Sequence, residues 1–307
     1  MTGWLPAYIR FDGSEPLVEW IQSDGDVLGD PLAQREIAQT SRTGTLAAMI
    51  ALSRRETLER LAGMVLQISR CGSTLVANAL GASPGAVVFH EPAAISGIFK
   101  LPHEVCAPAL VRDAVRATLQ AFERYATLHD VRYVVKFESW NIIEAGLIRS
   151  LVPGVPTLVL VRDPLEVAVS VVQTPPGWAL FKTYPALGAR ILPWESSEIA
   201  AMTSEEFISR TLGLFLAAAA AEGGRGAATC DYSELTTARI REIASHFGLR
   251  DPADESLDRI MRFHSKSGTQ AFTSDSEQKK ASATATMREA IAKYAYPHYR
   301  AVLDGRR

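Results

Sequence analysis

The chain has 307 residues, 47% of them hydrophobic and 21% charged, with a formal net charge of −2. Such a length and composition describe a globular chain able to bury one large α/β core or two small ones. The near-neutral balance excludes a general nucleic-acid coat, so any polyanionic ligand must be held by a local basic cluster rather than by the overall field.

Residues 7–22 alternate apolar and polar around Asp12-Gly13-Ser14, which predicts a hairpin or edge strands. After a polar stretch, 43–61 reads as a helix. From there the pattern alternates: strand 64–68, helix 73–82, short strand 86–89, a loop through 102, long helix 108–128, strand 131–136, helix 140–151, strand 157–161 and helix 164–172. This order predicts an α/β fold with a central parallel sheet and helices on both faces. The segment 174–198, rich in Pro, Gly, Trp and Tyr, reads as a long loop or lid, with Trp178, Phe181, Tyr184 and Trp194 either lining a pocket or packing the loop onto the core. A helix 204–221 capped by Ser204, a strand 227–231, helices 235–247 and 255–263, a basic loop 264–280 and a closing helix 284–303 complete the chain. The expected division is an N-terminal extension, 1–45, packed on a main domain, 46–307.

Cys71, Cys106 and Cys230 are widely spaced, match no metal-ligand pattern and fit free thiols in a reducing compartment. The segment 1–10 lacks the order of a signal peptide, and the apolar run 212–221 is too short to span a bilayer. The expectation is a cytoplasmic protein that contacts neither membrane nor nucleic acid, with no metal site.

The stretch 64–82 is the most informative. A buried strand runs into Ser69-Arg70-Cys71-Gly72-Ser73-Thr74, and an apolar helix follows. A loop of this kind leaves backbone N–H groups at a helix N-terminus, where the dipole also favours an anion. Gly72 lets the backbone approach closely, Arg70 adds charge, and Ser73 and Thr74 add hydroxyl donors. The residues describe a phosphate or sulfate cradle. They do not fit the Walker A pattern, because Gln67 holds the first glycine position and Ser73 stands where the lysine belongs.

A second anion grip is written in Arg162-Asp163-Pro164 and Ser170. Asp163 is a good N-cap, Pro164 suits the first helical position, and Ser170 lies nearly two turns further on the same face. Between the two grips, Lys136 and Glu138 end a strand with side chains on one side. His90-Glu91-Pro92 follows the second strand and offers two further acid–base groups.

The loop 69–74, the Arg162–Ser170 spacing and the strand-end Lys136 resemble, in order, those of sulfotransferases that use 3′-phosphoadenosine 5′-phosphosulfate (PAPS), over roughly residues 64–270. The resemblance implies a P-loop-type, three-layer α/β/α fold and in-line sulfuryl transfer to a small-molecule acceptor, with 3′-phosphoadenosine 5′-phosphate (PAP) as product and no metal. It implies that Arg70, Cys71, Gly72, Ser73 and Thr74 hold the 5′-phosphosulfate and that Arg162 and Ser170 hold the 3′-phosphate. Lys136 and Arg70 would stabilise the moving charge, and Lys266 with Gly268 would stand for a late basic loop. Glu138 replaces the histidine base of cytosolic members, while Glu91 matches the glutamate of the heparan sulfate branch. The order of preference for the base is Glu91, Glu138, His90. A small-molecule kinase with a degenerate loop and a non-catalytic nucleotide-binding protein are the rival readings.

Overall fold

The computed structural model describes residues 4–22, 41–53, 57–102, 104–105, 107–262 and 276–305. Three strands, β1 (Trp4–Phe11), β2 (Pro16–Gln22) and β3 (Ser41–Thr45), form an antiparallel sheet in that order. The β1–β2 turn is fixed by Asp12, whose Oδ1 accepts from the Ser14 and Glu15 N–H groups and from the Ser14 hydroxyl. The strand β3 replaces the first residues of the helix expected over 43–61; the helix is Leu46–Ser53. Pairing of Thr43 and Thr45 with Glu19 and Leu17 overrides the local pattern, and both threonines are β-branched.

The main sheet contains β4 (Leu61–Gln67), β5 (Ala86–His90), β6 (Arg132–Lys136), β7 (Thr157–Val161) and β8 (Ala228–Asp231), all parallel, in the order β5-β6-β4-β7-β8. The fold is therefore mixed α/β, a five-stranded parallel sheet flanked by helices. Every residue of β4 and β7 is buried, as continuous apolar strands covered on both faces must be. The chain leaves β4 towards one edge of the sheet and reaches β7 on its other side, which opens a crevice beyond the carboxyl end of β4.

Several elements depart from expectation for local reasons. The stretch read as a loop before 102 holds a helix, Ala93–Phe99. Its Gly97, which weakens the helical signal, is where the helix meets β1: an added Cβ would lie 2.2 Å from the Ile9 carbonyl oxygen. The long helix is Pro108–Leu128. The 140–151 helix opens as a 3₁₀ turn, Ser139–Glu144, before Ala145–Leu151. The expected lid, 174–198, is broken into short helical pieces, Gly177–Ala179, Leu180–Thr183, Pro185–Gly188 and the start of Ser196–Ala201. Thr203, not Ser204, caps the helix Ser204–Gly224 by accepting from the Glu206 N–H. The closing helix is two, Ala285–Tyr294 and Tyr296–Asp304, because Pro297 has no N–H to continue the hydrogen-bond ladder of the first and suits the first turn of the second. Among the described residues, no helix is long and apolar enough to cross a membrane.

Candidate functional site

The parallel strands deliver Gln67, His90, Lys136, Val161 and Asp231 to one end of the sheet, and register brings His90 beside Lys136. Above them lies a cleft of about 640 Å³, within the range of about 300–1,000 Å³ usual for small-molecule sites. Ser69 to Thr74, Glu91, Glu138, Arg162 and Ser170 all line it. The two segments expected to hold anions therefore open on a common space. Four cationic side chains, Arg70, Lys100, Arg162 and Lys279, face two carboxylates, Glu91 and Glu138, around the wall.

The loop after β4 is built by unusual backbone. Ser69 and Arg70 take positive φ angles of 82° and 52°, and Gly72 stands at 81°. Left-handed backbone costs a non-glycine residue about 1–3 kcal/mol and persists where the surroundings impose it. At Gly72 a side chain is excluded outright, since a Cβ would lie 2.6 Å from Leu235 Cδ1 and 2.9 Å from Tyr232 Cδ2. Gly72 also caps the helix Ser73–Gly81 without a side-chain bond, so the first N–H groups of that helix have no such cap to occupy them.

Gln67 ties this loop to the acid–base groups. Its Oε1 accepts from the Ser73 hydroxyl at 2.7 Å, and its Nε2 donates to Glu91 Oε1 at 2.9 Å and to the Phe137 carbonyl at 3.1 Å. Two acceptors on one side and a hydroxyl on the other fix the orientation of the amide. Glu91 Oε1 also meets the Lys136 ammonium at 2.5 Å. Lys136 is buried, whereas 39% of the Glu91 side chain remains exposed, and Glu91 too has positive φ, 46°.

On the other side of β4, Arg162 is clamped by Glu166, with Nε and Nη2 each 2.8 Å from Oε2, and its guanidinium carbon lies over the Tyr232 ring, 4.0 Å from its centre. Asp163 caps its helix, Pro164–Gln173, through the Leu165 N–H, as the sequence predicts. Arg70 Nε donates to Ser170 Oγ at 2.8 Å, so the arginine of the loop reaches the serine of the second grip. Lys280, on the helix Ser276–Ser282, lies 3.2 Å from Glu166 and 3.3 Å from Asp163, and its neighbour Lys279 lines the cleft.

Not every expected residue reaches this space. His90 and Lys136 are buried and do not line the cleft; Lys136 acts on it through Glu91. Lys266 and Gly268 lie outside the described residues. Trp194 packs edge-on against Phe207 at 6.4 Å and is absent from the wall, whereas Trp178, Phe181 and Tyr184 are part of it. Lys100 is a wall residue that no motif singled out, and Trp140, Tyr232 and Lys279, which lie in or beside the motifs, join it there. Lys100 and Tyr232 directly follow a short helix and a strand, the positional signal for a wall at this end of the sheet.

Two groups have displaced acidities. Burial pushes the Glu138 carboxyl above the ordinary carboxylate range, against the pull of Lys100 and the Trp140 indole, which donates to Glu138 Oε2 at 2.5 Å. Burial also pushes the Cys71 thiol up to about 11. A buried thiol whose acidity is weakened in this way is a poor nucleophile, which fits Cys71 as a small residue of the loop. Alkylation by iodoacetamide at pH 7–8 is expected to spare Cys71 in the folded protein, with peptide mapping as the check. Rapid labelling there overturns this assignment. Among the described residues, no group of three or more His, Cys, Asp and Glu side chains is placed to hold a metal ion.

No family model matches the chain, and no curated protein matches it. Among solved structures it is similar to a sulfotransferase from Alicyclobacillus acidocaldarius, at 14% sequence identity and a TM-score of 0.42, over 80% of this chain and 96% of that one.

Proposed function

We propose that this protein is a sulfotransferase that moves a sulfuryl group from PAPS to a hydroxyl or amine of a small acceptor. The observation that carries the reading is the opening of two anion grips, the loop 69–74 and the Arg162–Ser170 pair, on one cleft, with Arg70 reaching across to Ser170. A donor with phosphate groups on both the 3′ and 5′ oxygens of its ribose needs two such grips, and the surplus of cations around the wall suits its charge. In this reading the loop and Arg70 hold the 5′-phosphosulfate, Arg162 and Ser170 hold the 3′-phosphate, and Lys279 adds the late basic contact expected of Lys266.

The acceptor oxygen or nitrogen attacks sulfur while the bond from sulfur to the 5′-phosphate oxygen breaks. That bond's electron pair leaves with PAP, and Glu91 takes the acceptor proton. Position favours Glu91 over Glu138, because Glu91 is one hydrogen-bonded residue away from Ser73 of the loop, whereas Glu138 is tied to Trp140. Geometry precedes acidity in assigning a base. Lys136 lies against Glu91, and with Arg70 and the loop N–H groups it would offset the charge that develops on the departing phosphate. This displacement requires no metal ion.

Calorimetric titration with PAP and with ATP, each with and without Mg²⁺, tests the reading. Selective, metal-independent binding of PAP is expected. Mg²⁺-dependent binding of ATP in its place would point to a kinase and overturn it.

A further inference from the structure

One end of the cleft is lined by none of the residues assigned above to the donor's phosphates. Trp140 stands edge-on to Phe99 at 6.2 Å and to Phe181 at 6.0 Å. Leu180, Tyr184 and Leu187 continue the wall beside Phe181, and Leu180 and Tyr184 expose 52% and 59% of their surface. Large apolar side chains left open at the mouth of a cleft mark a surface made to be covered. Into this apolar end projects one cation, Lys100, carried by the residue that closes the helix Ala93–Phe99.

Lys100 differs from the cations of the donor end. Arg162 has Glu166, Lys136 has Glu91, Lys280 has Asp163 and Glu166, and Arg70 has Ser170. The Lys100 ammonium lies over the Trp140 ring, 5.2 Å from its centre, and no carboxylate of the described residues is within ion-pair distance. Glu138 feels its charge from further away, while its own Oε2 is held by the Trp140 indole and burial disfavours its ionised form. A partly enclosed ammonium without a matched anion, set on an aromatic wall, is half of a recognition site.

We propose that the acceptor is an amphiphile with an apolar, ring-containing body and an anionic group, and that Lys100 is the specificity-determining counter-ion for that group. The word acceptor rests on the sulfotransferase reading; the binding claim does not. The ring body covers Trp140, Phe181, Leu180 and Tyr184, and the anion meets Lys100.

The test uses 3-(4-hydroxyphenyl)propionate and its neutral amide as probes, titrated into the full chain with tryptophan fluorescence as readout. The carboxylate is expected to bind at least about tenfold more tightly than the amide, as a charge-assisted contact in a partly dry site allows. That preference is expected to vanish in Lys100→Met and to return in Lys100→Arg. Equal affinity for the two probes, a preference that survives in Lys100→Met, or no carboxylate binding at millimolar concentration overturns the proposal. A parallel PAP titration of the unmodified protein reads the donor assignment separately, so failure of either reading is visible without the other.

Discussion

Replacing Glu91 by glutamine is expected to lower kcat by about 10²–10⁴-fold, the usual contribution of a positioned general base, while PAP affinity stays within a few fold of the parent. Glutamine is the informative choice. It keeps an Oε1 to accept from Lys136 and Gln67, both of which meet that atom in the native side chain, and it removes only the ability to take a proton. Alanine would also leave the buried Lys136 ammonium without its carboxylate, mixing a folding defect with a chemical one. Glutamine itself weakens one charge-assisted bond, at a cost of about 1–3 kcal/mol, reduced because the glutamate is more than a third exposed. Single-turnover sulfuryl transfer from labelled PAPS measures the effect. If Glu91→Gln turns over at the parent rate while Glu138→Gln does not, the base is Glu138. In that case the rate should rise with pH through a value above the ordinary carboxylate range, since burial raises that group.

The second large effect belongs to Arg162. Arg162→Ala is expected to weaken PAP binding by about 100-fold or more, in line with the loss of a forked, charge-assisted contact in a dry site. The side chain is nearly buried and so is its partner Glu166. Removing one member of such a pair costs about 3–5 kcal/mol when the other is stranded; Lys280, 3.2 Å from Glu166, softens this. A lowered Tm is therefore expected alongside the binding defect, and Arg162→Lys keeps the two apart. Lysine restores the charge opposite Glu166 but not the planar fork or the guanidinium contact with Tyr232, so stability should recover further than PAP affinity. Unchanged PAP affinity in folded Arg162→Ala would remove Arg162 from the donor site.

The α/β alternation was legible because β4 and β7 are covered on both faces and so are written as largely apolar runs. The Asp163-Pro164 start was legible because capping chemistry is local, and the bond from the Leu165 N–H to Asp163 is confined to two residues. The helix Ala93–Phe99 was not, since the glycine that hides it is required by a strand more than eighty positions earlier. Strand order was also hidden. Only because β5 lies beside β6 do Glu91 and Lys136 meet, and sequence alone presented Glu91, Glu138 and Lys136 as separate candidates. The contact between Arg70 and Ser170 spans 100 positions and the apolar end of the cleft gathers Lys100, Trp140 and Phe181 from three segments; no window along the chain contains either.

Gln67 has a consequence for how the centre tolerates change. A single amide meets the Ser73 hydroxyl of the loop with its oxygen and the Glu91 carboxylate with its nitrogen, from the end of a fully buried strand. In the proposed reading, anchorage of the anion and aim of the carboxylate are thus not separately adjustable. Whatever tilts one drags the other, so evolution of new chemistry on this scaffold is steered toward the outer rim, where side chains can be exchanged without disturbing that shared hinge pin.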